Sequence, residues 1–296
     1  MKFPDEYFPI EDSIKKDFLL KVNEGKNNCK DLRVLFCATC KDVVDSIERS
    51  ISFCHEAGKY FKDYNIFLYE NNSSDGTPEK VQALKDEKVI FKSEFIIGGS
   101  YERSSTTLYK RCNLISNARN KYVDFINENE GYDYIFVFDT DISGGWSLDG
   151  IFNSIYYLEK NKTYGCMTSY CVLASPNVHD LEEVAPENWM MFDSFAFRYK
   201  KDDWSFPSQI YLHNYIKVHR GTEPVEVNSN FNGLAIYKPE CFKSNRYYVK
   251  NHGSEMSIDS EHVAFHKNIW DKGLKVLLNP SMITSISKHK YCEEYQ

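Results

Sequence analysis

The apolar run Tyr134-Ile135-Phe136-Val137-Phe138 leads straight into Asp139-Thr140-Asp141, and this junction constrains the fold more tightly than any other stretch of the chain. Five consecutive apolar residues read as a short buried strand. Gly144-Gly145 follows closely and lets the backbone turn away. Two carboxylates one residue apart at the end of such a strand can approach the same divalent cation. Hard cations such as Mg2+ and Mn2+ prefer carboxylate oxygens and keep positions open for water and substrate phosphates. An Asp-x-Asp alone is common in solvated loops. Its place after a fully apolar strand makes it a candidate metal–diphosphate site on an α/β scaffold.

The surrounding pattern supplies that scaffold. Leu32 to Ala38 reads as a first buried strand, and Val44, Ile47, Ile51 and Cys54 then mark one face of a helix. Tyr64 to Tyr69 is a second strand, running into the loop Glu70 to Glu79, where Thr77 is the expected N-cap and Pro78 the first helical residue. Lys88 to Phe91 is a third strand. Leu108, Cys112, Ile115, Ala118, Tyr122 and Phe125 then define a long helix from about Thr107 to Asn127. After the Asp139 turn a helix is expected over Leu148 to Lys160. Strands alternating with helices imply a mostly parallel sheet flanked by helices, with ligands at the carboxyl ends of the strands.

The second half is less regular. Residues 165–226 mix short apolar runs with Trp189 and Trp204. Val225 to Tyr237 reads as a strand or bent hairpin broken at Asn232-Gly233. A helix is expected over Ser257 to Lys272, and a last strand over Leu274 to Leu278, ending at Asn279-Pro280. Residues 1–30 read as a polar lead-in with a weak helical pattern around Ile14, Phe18 and Leu19. One domain spanning 1–296 is the simplest organisation, with a nucleotide-binding half over about 32–150 and an elaborated acceptor-binding half over about 151–289.

The chain has 296 residues, enough for one large α/β domain. Its net charge of -7 argues against a nucleic-acid-binding role, which needs a basic footprint. The nine cysteines form no regular framework, and Cys37-x-x-Cys40 lacks the partners a zinc or redox site requires. No apolar stretch is long enough for a membrane span, and the N-terminal residues lack a signal-peptide core. A soluble, cytoplasmic chain is the expectation.

The motifs, taken in order, resemble the GT-A class of nucleotide-sugar glycosyltransferases. Tyr69-Glu70-Asn71-Asn72-Ser73-Ser74-Asp75-Gly76-Thr77, Ala118-Arg119-Asn120 and Phe138-Asp139-Thr140-Asp141 are similar to the motifs of family 2 members. Phe192 to Arg198, Asn232-Gly233-Leu234-Ala235 and Ser260-Glu261 look closer to the capsule-type α-mannosyltransferases related to the cryptococcal enzymes. The resemblance covers about residues 32–289. It implies that Glu70 accepts a hydrogen bond from the nucleotide base and that Thr39 and Asp75 lie near the nucleoside. It implies that Asp139 and Asp141 hold Mn2+ or Mg2+ against the diphosphate of the donor, with a C-terminal His, here His289, completing the metal shell. Arg119 and Arg111 would add positive charge beside the diphosphate, and Asn232-Gly233 would let the backbone approach the donor sugar.

Glu261 stands at a helix start where inverting members carry the base that deprotonates the acceptor hydroxyl. The usual second acid is replaced by His262, so Asp259 is the candidate to compensate. Plain alternatives remain open at this stage. Arg119 reads equally as a surface helix residue, His289 as a tail histidine, and Asp259 and Glu261 as charges complementing a helix dipole. Asp193, Trp189 and Trp204 are candidates for an acceptor groove. The expected activity is metal-dependent sugar transfer from a UDP-sugar or GDP-mannose to a saccharide hydroxyl. The rivals are a sugar-phosphate nucleotidyltransferase and a non-catalytic nucleotide- or carbohydrate-binding protein. The first normally needs a glycine-rich loop after the first strand, and Ala38-Thr39-Cys40-Lys41-Asp42 has no glycine.

Overall fold

The computed structural model of the chain describes residue 3 and residues 5–99, 106–173, 190–200, 216–254 and 257–286. A short 3-10 turn leads into α1 (Asp12–Cys29), followed by β1 (Arg33–Cys40), α2 (Ile47–Gly58), β2 (Asp63–Asn71), α3 (Thr77–Ala83) and β3 (Val89–Glu94). Next come α4 (Leu108–Glu128), β4 (Tyr134–Phe138), β5 (Gly145–Trp146), α5 (Leu148–Lys160) and β6 (Tyr164–Leu173). Short strands β7 (Met190–Met191) and β8 (Arg198–Tyr199) precede β9 (Val225–Ser229), β10 (Leu234–Tyr237), β11 (Asn251–Ser254) and β12 (Ser257–Ile258). The last elements are α6 (Glu261–Asp271) and β13 (Lys275–Ser285).

Among the described residues one 11-stranded sheet runs β3-β2-β1-β4-β10-β6-β13-β9-β8, with β5 on β13 and β7 on β6. β3, β2, β1 and β4 pair in parallel, as do β6 and β13. β10 is inserted antiparallel between β4 and β6, so β6 and β13 point the same way as β4. The result is a mixed α/β architecture with a large, mostly parallel central sheet flanked by helices. Alternation along the strands explains why they are apolar throughout. Val34, Phe36, Phe136 and Phe138 bury one face with Ile47 and Phe53 of α2 and Ile151 and Phe152 of α5. Leu35, Cys37, Ile135 and Val137 bury the other with Ala118 and Tyr122 of α4 and Phe265 of α6. A strand covered on both sides has no polar face to show.

Four expectations are corrected. The N-terminal segment is not a loose lead-in: α1 buries Phe18, Val22 and Cys29. It lies so close to α5 that a Cβ on Gly25 would come 1.9 Å from the Phe152 carbonyl oxygen. Thr77 is the first residue of α3 and not its cap, because Asp75 accepts from the Thr77 amide at 3.0 Å and its hydroxyl at 2.6 Å. The last helix begins at Glu261, since Ser257–Ile258 pairs with β11 and Ser260 caps α6. The last strand does not end before Pro280. Its register against β6 shifts between Leu278 and Ile283, and this irregularity takes in the proline, which has no N–H to give a ladder. Asn279 holds the kink through Asn153 at 3.0 Å, Ser154 at 2.8 Å and the Ser281 amide at 2.9 Å.

Candidate active site

The carboxyl ends of β1, β2 and β4 open into one cleft of about 280 Å³. On the β4 side the turn after Phe138 is anchored from several directions. The Asp139 amide donates to the Gly233 carbonyl at 2.9 Å, the Thr140 hydroxyl to the Thr39 carbonyl at 3.3 Å, and the Ser50 hydroxyl to the Thr140 carbonyl at 2.8 Å. These bonds fix the backbone and leave the Asp139 and Asp141 side chains on the cleft wall, Asp141 exposed and Asp139 half-buried.

Arg119, two turns along α4 from Arg111, ties this wall to α6. Its Nη2 donates to Asp139 Oδ1 at 3.0 Å and its Nε to Glu261 Oε1 at 3.0 Å. The guanidinium is buried, with its centre 5.1 Å from the Phe231 ring. Burial opposes its charge, yet Tyr122, Asp139 and Glu261 hold its pKa well above the ordinary arginine value. A buried charge kept ionised by two carboxylates is a rigid joint, because releasing either one strands a charge away from water. The neighbouring Asn120 pins the next loop with a reciprocal pair of bonds to the Tyr247 backbone, both at 2.9 Å.

Thr39, Lys41, Asn71 and Arg111 also line the cleft. Arg111 Nε is buried with no hydrogen-bond partner among the described residues. Lys41 Nζ rests on the Asn72 carbonyl at 2.7 Å and Asp42 at 3.0 Å. Asn71, also in the cleft lining, donates from Nδ2 to Asn72 Oδ1 at 3.1 Å and to the Gly99 carbonyl at 3.4 Å. The donor set suits a hard cation that arrives with a diphosphate. Arg119 occupies Oδ1 of Asp139, so Oδ2 is the oxygen that could join Asp141, on the same turn, in holding a cation. No group of three His, Cys, Asp or Glu among the described residues could hold a metal without help from substrate. Mg2+ and Mn2+ sites are commonly built from one or two carboxylates plus substrate phosphates.

Several residues singled out in the sequence lie elsewhere. Glu70 is buried, and its two oxygens accept from the Ser73 amide at 2.7 Å and the Ser93 hydroxyl at 2.5 Å. It closes the β2 loop and is not among the residues lining the cleft, whereas its neighbour Asn71 is. Asp75 braces the α2 and α3 loops through Thr77 and the Val44 amide at 2.9 Å. Burial works against that charge, but these hydrogen bonds lower its pKa. Asn232 and Gly233 both have positive φ, 56° and 82°, and form the buried turn on which Asp139 rests. They shape the site from behind and do not line the cleft. Asp259 is consumed by Arg198 at 2.7 Å and His252 at 2.8 Å, so it does not replace the missing second acid. His262 cannot replace it either: it stacks on Phe231 at 3.9 Å, and burial, then Arg119 and His266, push its pKa well below the ordinary value. His289, Trp189 and Trp204 lie outside the described residues. The Cys37 and Cys40 thiols are buried and raised by that burial, as inert packing groups.

Lys41 and Asn71 were missed by sequence reasoning. Strict alternation along β2 would have found Asn71, since it shares with Phe67 and Tyr69 the face covered by α4, while Glu70 follows Ile66 and Leu68 to the opposite face.

No protein-family model matches the chain, and no curated protein matches it. Among solved structures it is similar to the mannosyltransferase PcManGT from Pyrobaculum calidifontis in complex with GDP-Man and Mn2+. That likeness has 15% identity and a TM-score of 0.48, covering 92% of this chain and 65% of that one. It is also similar to S. aureus TarS 1-349, at 10% identity and a TM-score of 0.45, covering 86% of this chain and 59% of that one. The chain therefore spans less than two-thirds of either neighbour's length, and likeness at this level carries no information on activity.

Proposed function

We propose that the chain is a metal-assisted glycosyltransferase that takes a sugar from a nucleoside diphosphate sugar and passes it to a saccharide hydroxyl. One observation carries this reading: a single cleft at the strand ends is lined both by Asp139 and Asp141 and by Arg111, whose buried Nε has no partner among the described residues. Carboxylates and an unsatisfied guanidinium N–H lining one cleft suit a cation-bound diphosphate, the acids meeting the cation and the guanidinium the phosphates.

Asp141 and Asp139 Oδ2 would hold Mn2+ or Mg2+, which when bound neutralises the departing diphosphate as a Lewis acid. Arg111 and Lys41 add charge at the phosphates. Arg119 keeps Asp139 oriented and holds Glu261 in the wall. Thr39 borders the nucleoside end. Asn71 could bond the base, without by itself selecting one. UDP-sugars, the commonest donors of the class the motifs resemble, and GDP-mannose are the favoured donors, and the capsule-type resemblance of the second half favours mannose when the base is guanine.

The reading is tested by incubating the purified chain with Mn2+ and a panel of UDP-, GDP-, dTDP- and ADP-sugars and detecting free nucleoside diphosphate. Slow release from a uridine or guanosine donor, abolished by EDTA, is the expected result. Release that persists in EDTA removes the metal role. Nucleoside triphosphate and sugar 1-phosphate formed when pyrophosphate is added to the donor would show a nucleotidyltransferase instead.

A further inference from the structure

Asp139 enters the cleft with one of its two oxygens already taken. Arg119 Nη2 donates to Oδ1 at 3.0 Å, and Oδ2 accepts no hydrogen bond among the described residues. The guanidinium is not free to swing away and release that oxygen. Its Nε donates to Glu261 Oε1 at 3.0 Å and its Nη1 to the Tyr122 hydroxyl at 3.4 Å. The Phe231 and Tyr247 rings lie 5.1 and 5.9 Å from its centre, and the residue is only 5% exposed. A planar fork engaged at all three nitrogens holds its donors in fixed directions.

The aspartate is fixed from its backbone side as well. Its amide donates to the Gly233 carbonyl at 2.9 Å, and that turn is itself braced, Asn232 Oδ1 accepting from the Asp193 amide at 3.2 Å. Turning both Asp139 oxygens into the cleft would break the Arg119 bond and leave a buried guanidinium short of a partner.

Resting on the glycosyl-transfer reading above, we propose that Arg119 is a positioning residue that selects the cation: by holding Oδ1 it limits Asp139 to one ligand oxygen, so that the cleft takes Mg2+ or Mn2+ with the diphosphate and disfavours Ca2+. The two kinds of cation ask different things of a carboxylate. Ca2+ gathers about six to eight oxygens in a flexible arrangement and often takes both oxygens of one carboxylate. Mg2+ demands near-octahedral geometry, keeps several waters, and is served by one or two carboxylates plus substrate phosphates. A wall that offers few protein oxygens, one of them rigidly directed, meets the second demand and not the first. Among the described residues no group of three His, Cys, Asp or Glu makes up the larger count. Glu261, although it lines the cleft, spends its Oε1 on the far side of the same guanidinium.

The test measures binding and not turnover. The affinities of UDP and of GDP are determined by calorimetry at saturating Mg2+ and at saturating Ca2+, and their ratio is the readout. Wild type should bind its nucleotide at least about tenfold more tightly with Mg2+ than with Ca2+, the scale on which partners of ligating residues act. Arg119→Met alone would leave Glu261 as a buried uncompensated charge, so it is combined with Glu261→Gln, which removes that charge. The double variant should bind the nucleotide with similar affinity in the two cations, because Ca2+ gains the released Asp139 oxygen. Glu261→Gln alone should keep the wild-type ratio, since Arg119 still holds Asp139. Equal affinities in wild type overturn the proposal whatever the variants do. A double variant that keeps the preference for Mg2+ overturns it too, and so does a folded Glu261→Gln chain that loses the preference. Failure of wild type to bind either nucleotide with either cation would instead defeat the donor reading, and the proposal with it.

Discussion

The sheet has two regions that bury different things. Around β1, β2 and β4 the core is apolar on both faces, and polar side chains wait until the strands end. Around β6, β10 and β13 the core holds polar groups that satisfy one another. Asn230 Nδ2 donates to Thr168 at 2.7 Å and to the Ser169 carbonyl at 2.8 Å, while the Ser169 and Thr284 hydroxyls donate to the Asn232 carbonyl at 2.6 and 2.8 Å. His266 bridges Ser229 and Tyr237, both at 2.9 Å. The first region is specified by volume and tolerates replacement of one apolar residue by another of similar size. The second is specified by direction, because removing one partner leaves a buried group unsatisfied at about 1–3 kcal/mol. The proposed site sits at the seam: Asp139 directly follows a first-region strand but its amide rests on the second-region turn Asn232-Gly233.

The contrast can be broken most strongly at the joint. Arg119→Ala should cost about 3–5 kcal/mol in urea unfolding, since Glu261 is left as a buried uncompensated charge. A loss below about 1 kcal/mol would mean that the two regions do not depend on this clamp. Next comes acid sensitivity from the polar core. Burial lowers His266 to about 3, so between its ordinary value of 6.5 and that value the unfolded chain binds a proton that the folded chain refuses. Stability contributed by neutral His266 is therefore present above 6.5 and lost as pH falls toward 3, by a few kcal/mol as an order of magnitude. A denaturation series against pH should show this limb, and it should flatten in His266→Gln. Asp193 acts with the opposite sign: its raised pKa favours the fold at low pH, and that contribution is lost as pH rises from 3.8 through about 6.

A smaller effect is expected at Asn232→Ala, roughly 2 kcal/mol, from the lost acceptor for the Asp193 amide and a non-glycine residue without a polar side chain at positive φ. Its nucleotide affinity should fall too, because the Asp139 loop loses its seat. The smallest effect on stability is expected at Asp141→Asn, within about 0.5 kcal/mol as for surface substitutions generally. Metal-supported diphosphate release should nevertheless disappear. A variant that lost stability and function together at Asp141 would erase the distinction between strand-end chemistry and core architecture.

The same contrast explains what could be read from the chain. The strands β1, β2 and β4 and the helix α4 announce themselves because both-face burial leaves an uninterrupted apolar run and helix packing leaves a 3-4 period. Asp139 and Asp141 are legible for the same reason, standing where such a run ends. β6 is not legible: Thr168 and Ser169 in its middle look like loop residues until Leu277, Asn230 and Asn232 are found to bond them. α1 hides because only Phe18, Val22, Gly25 and Cys29 along its 18 residues are buried. Glu70 is ambiguous because a carboxylate closing its own loop and a carboxylate reading a base look alike in one dimension. Arg119 was ambiguous between surface and site for a related reason, since both of its partners are remote in sequence.

The central claim is that the cleft between Asp139, Asp141 and Arg111 holds a cation-bound nucleoside diphosphate. The most direct measurement is a calorimetric titration of UDP and of GDP, each with Mn2+, into wild type, Asp141→Asn and Arg111→Ala. One of the two nucleotides should bind wild type, lose its binding in EDTA, and bind each variant at least tenfold more weakly while the melting temperatures stay close. Equal affinity across the three proteins, or no binding to a folded wild type, would contradict the account.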